Sequence, residues 1–232
     1  MALPALQSAM HASLAGVQWV VESYALFLAA LLLIGGSLGD LYGRRKIFAI
    51  GVVIFSLASV CCGLASNVGQ LIAARAIQGI GGALLVPGSL ALISAHFPEK
   101  ARGRAIGTWS GFTSITADIG PVLGGWLVEH GSWRWAVFIN VPVGLIVLLV
   151  TLGKVPESWA GTQVQHFDWP GGVLAVLGFA GIVFALIDSI PLAGAAGAIA
   201  LIALWYWEAA GLALASSLTA AALISTEKRP LT

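Results

Sequence analysis

Two long apolar runs are separated by the stretch Gly36-Ser37-Leu38-Gly39-Asp40-Leu41-Tyr42-Gly43-Arg44-Arg45-Lys46. The stretch contains a single acid and ends in three consecutive cations, and its glycines disfavour a continuous helix. Arginine and lysine resist translocation across a membrane and collect in cytoplasmic loops. The stretch therefore predicts a tight cytoplasmic loop between two membrane-spanning helices.

The composition independently indicates a membrane protein. Hydrophobic residues make up 59% of the 232-residue chain and charged residues 9%. Ordinary soluble domains contain about 45–50% apolar and about 25% charged residues. Because so few charges could not cover a soluble surface, we expect the lipid bilayer to be the main partner. The formal net charge of +1 gives no indication of a nucleic-acid partner.

Seven apolar segments of about the length needed to cross a bilayer, roughly 20 residues each, follow one another along the chain. They cover residues 17–38, 47–65, 70–95, 105–128, 135–152, 171–187 and 192–207. Cations mark alternate connections, namely Arg44, Arg45, Lys46, Lys100, Arg102, Arg104 and Lys154, whereas the opposite connections carry only Arg134. This alternation predicts an all-α polytopic membrane protein whose cation-rich connections face the cytoplasm.

The first connection resembles the motif G-x-L-x-D-x-x-G-R-R/K, which the major facilitator superfamily carries between its second and third spans. The residues that match are Gly36, Asp40, Gly43, Arg44 and Arg45. The resemblance implies a transporter with a major-facilitator-like helical bundle. It also implies that these five residues belong to a cytoplasmic gate.

The next match lies in the segment 70–95 and fits the superfamily pattern L-x-x-x-R-x-x-Q-G-x-G-x-A. The residues that match are Leu71, Arg75, Gln78, Gly79, Gly81 and Ala83. Helical spacing places Arg75, Gln78, Gly79 and Gly82 on one face. Close helix packing explains the glycines, but it does not explain Arg75. An arginine at the bilayer centre costs several kcal/mol unless it is paired or hydrated. The pattern therefore predicts a functional Arg75.

A third match is the stretch Gly120-Pro121-Val122-Leu123-Gly124-Gly125, which resembles the G-P-x-x-G-G element of antiporters in the superfamily. Thr116 stands where a further glycine is usual. The stretch 133–144 resembles the W-R-W-x-F-x-I-N-x-P-x-G sequence of the fourteen-span drug:proton antiporter branch. Asp168 and the residues after it resemble the start of that branch's seventh span.

Two acids, Glu22 and Asp118, lie inside predicted spans at about the same depth as Arg75. In the superfamily an acid of the first span commonly partners the arginine of the fourth. The resemblance therefore implies that Arg75 and a nearby acid form a proton relay, with Asp118 as the first candidate and Glu22 as the second. Two alternatives stay open: Asp118 is a misplaced acid in a non-functional chain, and Glu22 snorkels to the interface.

The matches predict four regions. Residues 1–12 resemble the remnant of a first membrane span, and residues 13–153 correspond to spans 2–6 of an amino-terminal transporter bundle. Residues 154–208 form a cytoplasmic connection and the linker spans 7 and 8. Residues 209–232 match no motif, and a shifted reading frame would account for them.

The sequence contains no P-loop and no H-E-x-x-H or G-x-S-x-G motif, and its four histidines lie at predicted span ends or in loops. We therefore expect neither an enzyme nor a metal or cofactor site. The resemblance implies a proton-coupled exporter of amphipathic drugs or other small molecules across the cytoplasmic (inner) membrane, present as a partial transporter. The alternatives are a transport-incompetent fragment that acts as an interaction partner and a half-transporter that homodimerises. A missing second half is the other expected partner.

Overall fold

The structure is a computed structural model that describes the backbone of residues 2–159, 169–188, 190–207 and 209. Within these ranges it contains helices joined by short connections and no strand, which confirms the all-α prediction. The chain divides into two compact units, Met1–Phe167 and Asp168–Thr232. The predicted span start at Asp168 and the tail from residue 210 onward lie outside the described residues.

The helices of the first unit follow one another with few intervening residues. They are α1 Ala2–Met10, α2 Leu14–Tyr42, α3 Arg44–Leu64, α4 Val68–His96, α5 Glu99–His130, α6 Trp135–Phe138 and α7 Asn140–Lys154. Two of these helices are capped by the side chain of their own N-cap residue. Ser13 Oγ accepts from Gly16 N at 3.1 Å before α2, and Asn67 Oδ1 accepts from Gln70 N at 2.9 Å before α4. The second unit contains α8, Trp169–Asp188, and α9, Pro191–Trp207.

Within the described part of the chain, five helices are long and apolar enough to cross a membrane. They are Leu14–Tyr42, Arg44–Leu64, Val68–His96, Trp135–Lys154 and Pro170–Ile187, and they match five of the predicted spans. Large apolar side chains are exposed on their surfaces, including Leu33, Leu57 and Leu149. Such a surface suits lipid rather than water.

The other two predicted spans are helical, but neither lies in a helix that is both long enough and apolar enough to be counted among these five. Segment 105–128 lies within the 32-residue helix α5, which carries many hydroxyl side chains and Asp118 and is therefore less apolar. Segment 192–207 lies within α9, which is among the shorter apolar helices of 10–17 residues. That these two helices cross the membrane stays a prediction.

The connection between α2 and α3 is shorter than the sequence predicts. The stretch from Gly36 was expected to be a loop, but α2 continues to Tyr42 and only Gly43 lies outside a helix. Gly36 packs on Pro87 of α4, where a Cβ would lie 3.5 Å from the proline Cβ. Gly43 has φ +103°, a conformation that favours glycine, so the chain reverses at this residue.

Helices α2, α3 and α4 pack closely through glycines of α4. A Cβ at Gly79 would lie 2.5 Å from the carbonyl oxygen of Tyr24 on α2, and one at Gly81 would lie 2.7 Å from the backbone nitrogen of Phe55 on α3. Side chains larger than hydrogen would push these backbones apart. Close packing therefore accounts for the α4 glycines, and it fixes the position of Arg75 on the same helix.

The predicted span 135–152 is divided into α6 and α7 at Ile139. Pro142 has no N–H to donate to the carbonyl of Phe138, four residues earlier, so one helical hydrogen bond is missing at this point. Ile139 itself keeps helical angles, φ −59° and ψ −25°, and the chain continues in nearly the same conformation. The division places Asn140 at the start of α7.

Candidate functional site

Arg75 lies on α4 seven residues after Val68, inside the first unit. Its Nε donates to the carbonyl oxygen of Val20 at 3.0 Å, and its Nη1 donates to Gln78 Oε1 at 2.6 Å. The guanidinium carbon lies 4.4 Å from the ring centre of Tyr24, a cation–π arrangement. A backbone carbonyl, an amide and an aromatic ring thus surround the charge.

The Arg75 contacts continue into a buried polar chain that joins three helices. Gln78, 1% exposed, donates from Nε2 to Ser59 Oγ at 2.7 Å. Ser59 is fully buried and donates to the carbonyl of Phe55 at 2.8 Å, while Asn140 Nδ2 donates to the same hydroxyl at 3.4 Å. Because Ser59 Oγ uses its donor and accepts twice, it orients the Gln78 amide with its oxygen toward Arg75.

Asp118, the first candidate for the acid near Arg75, forms no ion pair with it in this structure. Asp118 is exposed on α5, and the described residues contain one ion pair, between Asp40 and Arg44. Glu22 on α2 is partly exposed and forms no ion pair with Arg75 either. The physical reason is that no residue of α5 is buried, so equal depth in the membrane does not bring Asp118 to α4. The part of Arg75, Asp118 and Glu22 in a proton relay stays a prediction.

Trp133 joins the surroundings of Arg75 from the connection before α6. It is 6% exposed, and its Nε1 has no hydrogen-bond partner among the described residues. With Arg75, Val20 and Leu71 it lines a small cavity of about 170 Å³. Two N–H donor groups, from a guanidinium and an indole, therefore border one apolar space.

The predicted gate motif forms a compact structure where α2 meets α3. Asp40 Oδ1 accepts from Arg44 Nε at 2.8 Å and from Arg44 Nη2 at 2.7 Å, so one carboxylate oxygen holds two donors of the guanidinium. The two residues are four apart and lie on either side of Gly43. The motif thus pairs its acid with its first cation across the connection.

Glu157, which the sequence patterns do not single out, caps the start of α3. Its Oε1 accepts from the backbone N–H of Arg45 at 2.9 Å, and its Oε2 accepts from that of Lys46 at 3.2 Å. Gly43 has no side chain to cap α3, and a Cβ there would lie 2.8 Å from the Glu157 carboxyl carbon. Gly43 is therefore needed both for its φ angle and for the space that Glu157 occupies.

Two further bonds attach the end of α7 and the segment after it to the motif. Arg44 N donates to the carbonyl of Ser158 at 3.0 Å, and Arg45 Nη2 donates to the carbonyl of Leu152 at 3.0 Å. Residues 152–158 thus close over the α2–α3 connection. The gate motif and residues 152–158 form one polar cluster.

The expected antiporter motif lies on an open surface of α5. Pro121 is inside the helix and exposed, and a Cβ at Gly120 or Gly124 would meet nothing within 4 Å. Gly125 is partly buried. The expected close packing of this element against a neighbouring helix is not found among the described residues. Its role as an antiporter motif stays a prediction.

The sequence profile of the Major Facilitator Superfamily matches residues 1–231. The chain belongs to this family. Its members are transporters, and the five apolar helices make the chain a multi-pass integral membrane protein.

Similar proteins include several that are named for drug resistance or export. The chain is 41% identical over 205 residues to multidrug resistance protein Stp of Mycobacterium tuberculosis (strain CDC 1551 / Oshkosh), covering 88% of this chain and 38% of Stp. It is 40% identical to the tetracenomycin C resistance and export protein of Streptomyces glaucescens, covering 79% and 34%. It is 39% identical to the drug efflux pump JefA of M. tuberculosis, covering 81% and 37%.

The chain therefore spans less than two fifths of the length of these superfamily relatives. Among solved structures it is similar to a bacterial homologue of the human lysosomal transporter Spinster in an inward-facing and occupied conformation. The TM-score is 0.49 at 24% identity, over 80% of this chain and 47% of that one.

Proposed function

We propose that this superfamily chain forms the amino-terminal part of a proton-coupled exporter of amphipathic drugs or other small molecules in the cytoplasmic (inner) membrane. The names of its relatives support drug export. The observation that carries the proposal is the Arg75 guanidinium, held inside an apolar bundle by a carbonyl, an amide and a ring with no acid in contact among the described residues. A charge in such a place is costly and indicates a transport role.

Arg75 can act as a fixed positive charge because a guanidinium does not lose its proton in a protein. A carboxylate that approaches it is favoured in the ionised form, and the same carboxyl group takes up a proton more readily when it moves away. Alternation between these two positions would couple proton movement to the state of the transporter. Asp118 and Glu22 remain the candidate proton carriers, and Asp118 could reach Arg75 only if α5 moved.

The cluster around Gly43 fits a cytoplasmic gate. Asp40, Arg44 and Glu157 hold the α2–α3 connection against the segment after α7 through short hydrogen bonds. These bonds hold the connection in place within the bundle, and the groups are polar and partly exposed, so they can also bond water or a second bundle. Alternating access in transporters rests on two bundles that move against each other as bodies.

A second candidate function is that of a membrane-embedded interaction partner, either transport-incompetent or a homodimerising half-transporter. The open face of α5 favours this candidate. Phe112, Ile115 and Ile119 are each more than half exposed, and a Cβ added at Gly107 or Gly111 would meet nothing within 4 Å. Such a face suits another helix, from a second half or from a second copy.

A chimera tests the role of Arg75 in transport. The matching segment of Stp is replaced by this chain, and efflux of a fluorescent cationic dye is measured in vesicles with an imposed proton gradient. We expect Arg75→Gln to reduce efflux at least tenfold, because the fixed charge is lost. Arg102→Gln, which removes an exposed cation from the first turns of α5, serves as the matched control and should change efflux less than about twofold. Equal efflux by Arg75→Gln and the parent chimera would refute the proposal.

The purified chain alone tests whether it works as a homodimerising half-transporter. Alternating access needs two bundles, so vesicles that contain only this chain should show no dye efflux above empty vesicles. Proton-dependent efflux by the purified chain would instead support a homodimerising half-transporter.

A further inference from the structure

A groove of about 570 Å³ runs along the outer side of α3 and α7, away from Arg75. Its walls are apolar side chains of the two helices, namely Ala49, Ile50, Val53, Ile54, Leu148 and Leu152. Ile50 and Val53 are each 39% exposed, so the groove is open to its surroundings. From residue 46 to residue 54 it follows about 12 Å of α3, most of the roughly 15 Å thickness of one leaflet.

Cations gather at one end of this groove. Arg45 and Lys46 line it directly. Lys46 is exposed, while Arg45 uses Nη2 to bond the carbonyl of Leu152 and keeps other N–H donors. An apolar groove thus ends at a group of positive charges on the same side as the gate motif.

Glu157 is the acid at this end of the groove, and its charge is already engaged. Its two oxygens accept from the backbone N–H groups of Arg45, Lys46 and Ser158. These donors and the positive end of α3 compensate the carboxylate. The side chain of Lys46 makes no ion pair among the described residues and remains open to an outside anion.

We propose that this groove binds an anionic phospholipid, with the phosphate at Arg45 and Lys46 and one acyl chain along α3 and α7. Cations at a membrane surface attract anionic headgroups, and basic pockets between membrane helices are suited to them. A zwitterionic lipid would gain less from the two cations, and a free phosphate would gain nothing from the apolar walls. The proposed topology places the lipid in the cytoplasmic leaflet.

Lipid retention by the purified full chain in detergent tests the proposal. The chain is titrated with phosphatidylglycerol or with phosphatidylcholine of the same acyl chains, and bound lipid is counted by native mass spectrometry. We expect phosphatidylglycerol to bind at least tenfold more tightly. Lys46→Gln should weaken its binding about fivefold, since a surface cation near an anionic lipid contributes about that factor. Lys100→Gln removes an exposed cation from the first turn of α5 and should leave binding unchanged.

Two further arms distinguish the source of the anion. Val53→Phe narrows the apolar groove and should weaken phosphatidylglycerol binding several-fold, while inorganic phosphate should fail to displace the lipid at equal concentration. Raising the salt concentration about tenfold should weaken binding to the unmodified chain, because salt screens the attraction between the cations and the headgroup. Because the measurement is made in detergent and involves no transport, failure here would leave the proposed export function and topology intact.

Four results would overturn the proposal. Two of them are equal affinity for phosphatidylglycerol and phosphatidylcholine, and a loss of binding in Lys100→Gln as large as in Lys46→Gln. The other two are displacement of bound lipid by inorganic phosphate as effectively as by free lipid, and binding that does not change with the salt concentration.

Discussion

Replacing Gln78 tests the polar chain that holds Arg75. Gln78→Leu removes the acceptor of the 2.6 Å bond from Arg75 Nη1 and the donor of the 2.7 Å bond to Ser59 Oγ. Ser59 keeps its bonds to Phe55 and Asn140, and Arg75 keeps its bond to Val20, so the atom left without an acceptor is Arg75 Nη1. A hydrogen bond to a charged group contributes about 1.5–3 kcal/mol, whereas bonds between neutral side chains in membrane bundles average about 0.6 kcal/mol. We expect a loss of about 2–3 kcal/mol in the free energy of unfolding.

The assay is unfolding of the purified chain in mixed micelles, followed by circular dichroism. Gln18→Leu is the matched control, since it makes the same substitution at an exposed residue of α2 and should cost less than about 0.5 kcal/mol. Ser59→Ala and the double variant complete a cycle, in which the combined loss should fall short of the sum by about 0.6 kcal/mol. Equal stability of Gln78→Leu and the control would refute the role of Gln78. Strict additivity in the cycle would refute its contact with Ser59.

Three other predictions follow from the structure. Glu157→Gln removes the charge that caps α3 and should lower the free energy of unfolding by about 0.5–1 kcal/mol. Glu129→Gln, near the C-terminus of α5, should not lower it, and equal effects of the two substitutions would count against the cap. Arg75→Gln and Asp118→Asn should have additive effects on stability, because the two side chains are not in contact. A coupling energy above about 0.5 kcal/mol between the two substitutions would show that the side chains do form an ion pair. For the proposed topology, a cysteine at position 129 should be labelled from outside intact cells and one at Arg44 should not, and the reverse pattern would contradict it.

The parts of the fold that the sequence predicts are those set by local pattern. Hydropathy and length locate the spans, because a bilayer imposes both on each segment separately. Helical periodicity places Arg75 and Gln78 on one face, three residues apart, and they are in contact in the structure. Asp40 and Arg44 are also close in sequence, four residues apart across Gly43, so their ion pair needs no contact between distant parts of the chain.

The remaining site contacts join residues that are distant in sequence. Ser59 and Asn140 are 81 residues apart, and Glu157 and Arg45 are 112 apart. No local pattern marks Ser59, and a glutamate after an apolar run has no visible partner until α3 and α7 are packed together. The error over Asp118 has a related cause: counting residues gives depth in the membrane, but it does not give which helices are neighbours.

These distant contacts also determine which parts of the first unit can move independently. Arg134 donates to the carbonyls of Gly63 at 2.9 Å and Ala65 at 3.2 Å at one end of α3. Asn140 bonds Ser59 further along, and Glu157 caps the other end. From residue 45 to residue 63 these bonds act over about 27 Å, nearly the thickness of the hydrocarbon core.

A helix fixed to the same partner segment at both ends and between them cannot slide or tilt against it without breaking several bonds at once. Helix α3 and the segment 134–158 therefore form one body, and the glycine contacts of α4 add α2 and α4 to it. Arg75 belongs to this body, whereas α5 has no buried residue. In the proposed relay, an exchange of the present partners of Arg75 for Asp118 requires α5 to move relative to this body, whereas Glu22 on α2 belongs to the body and would need only a change of its own side chain. The body thus fixes the position of the positive charge against which either acid would act.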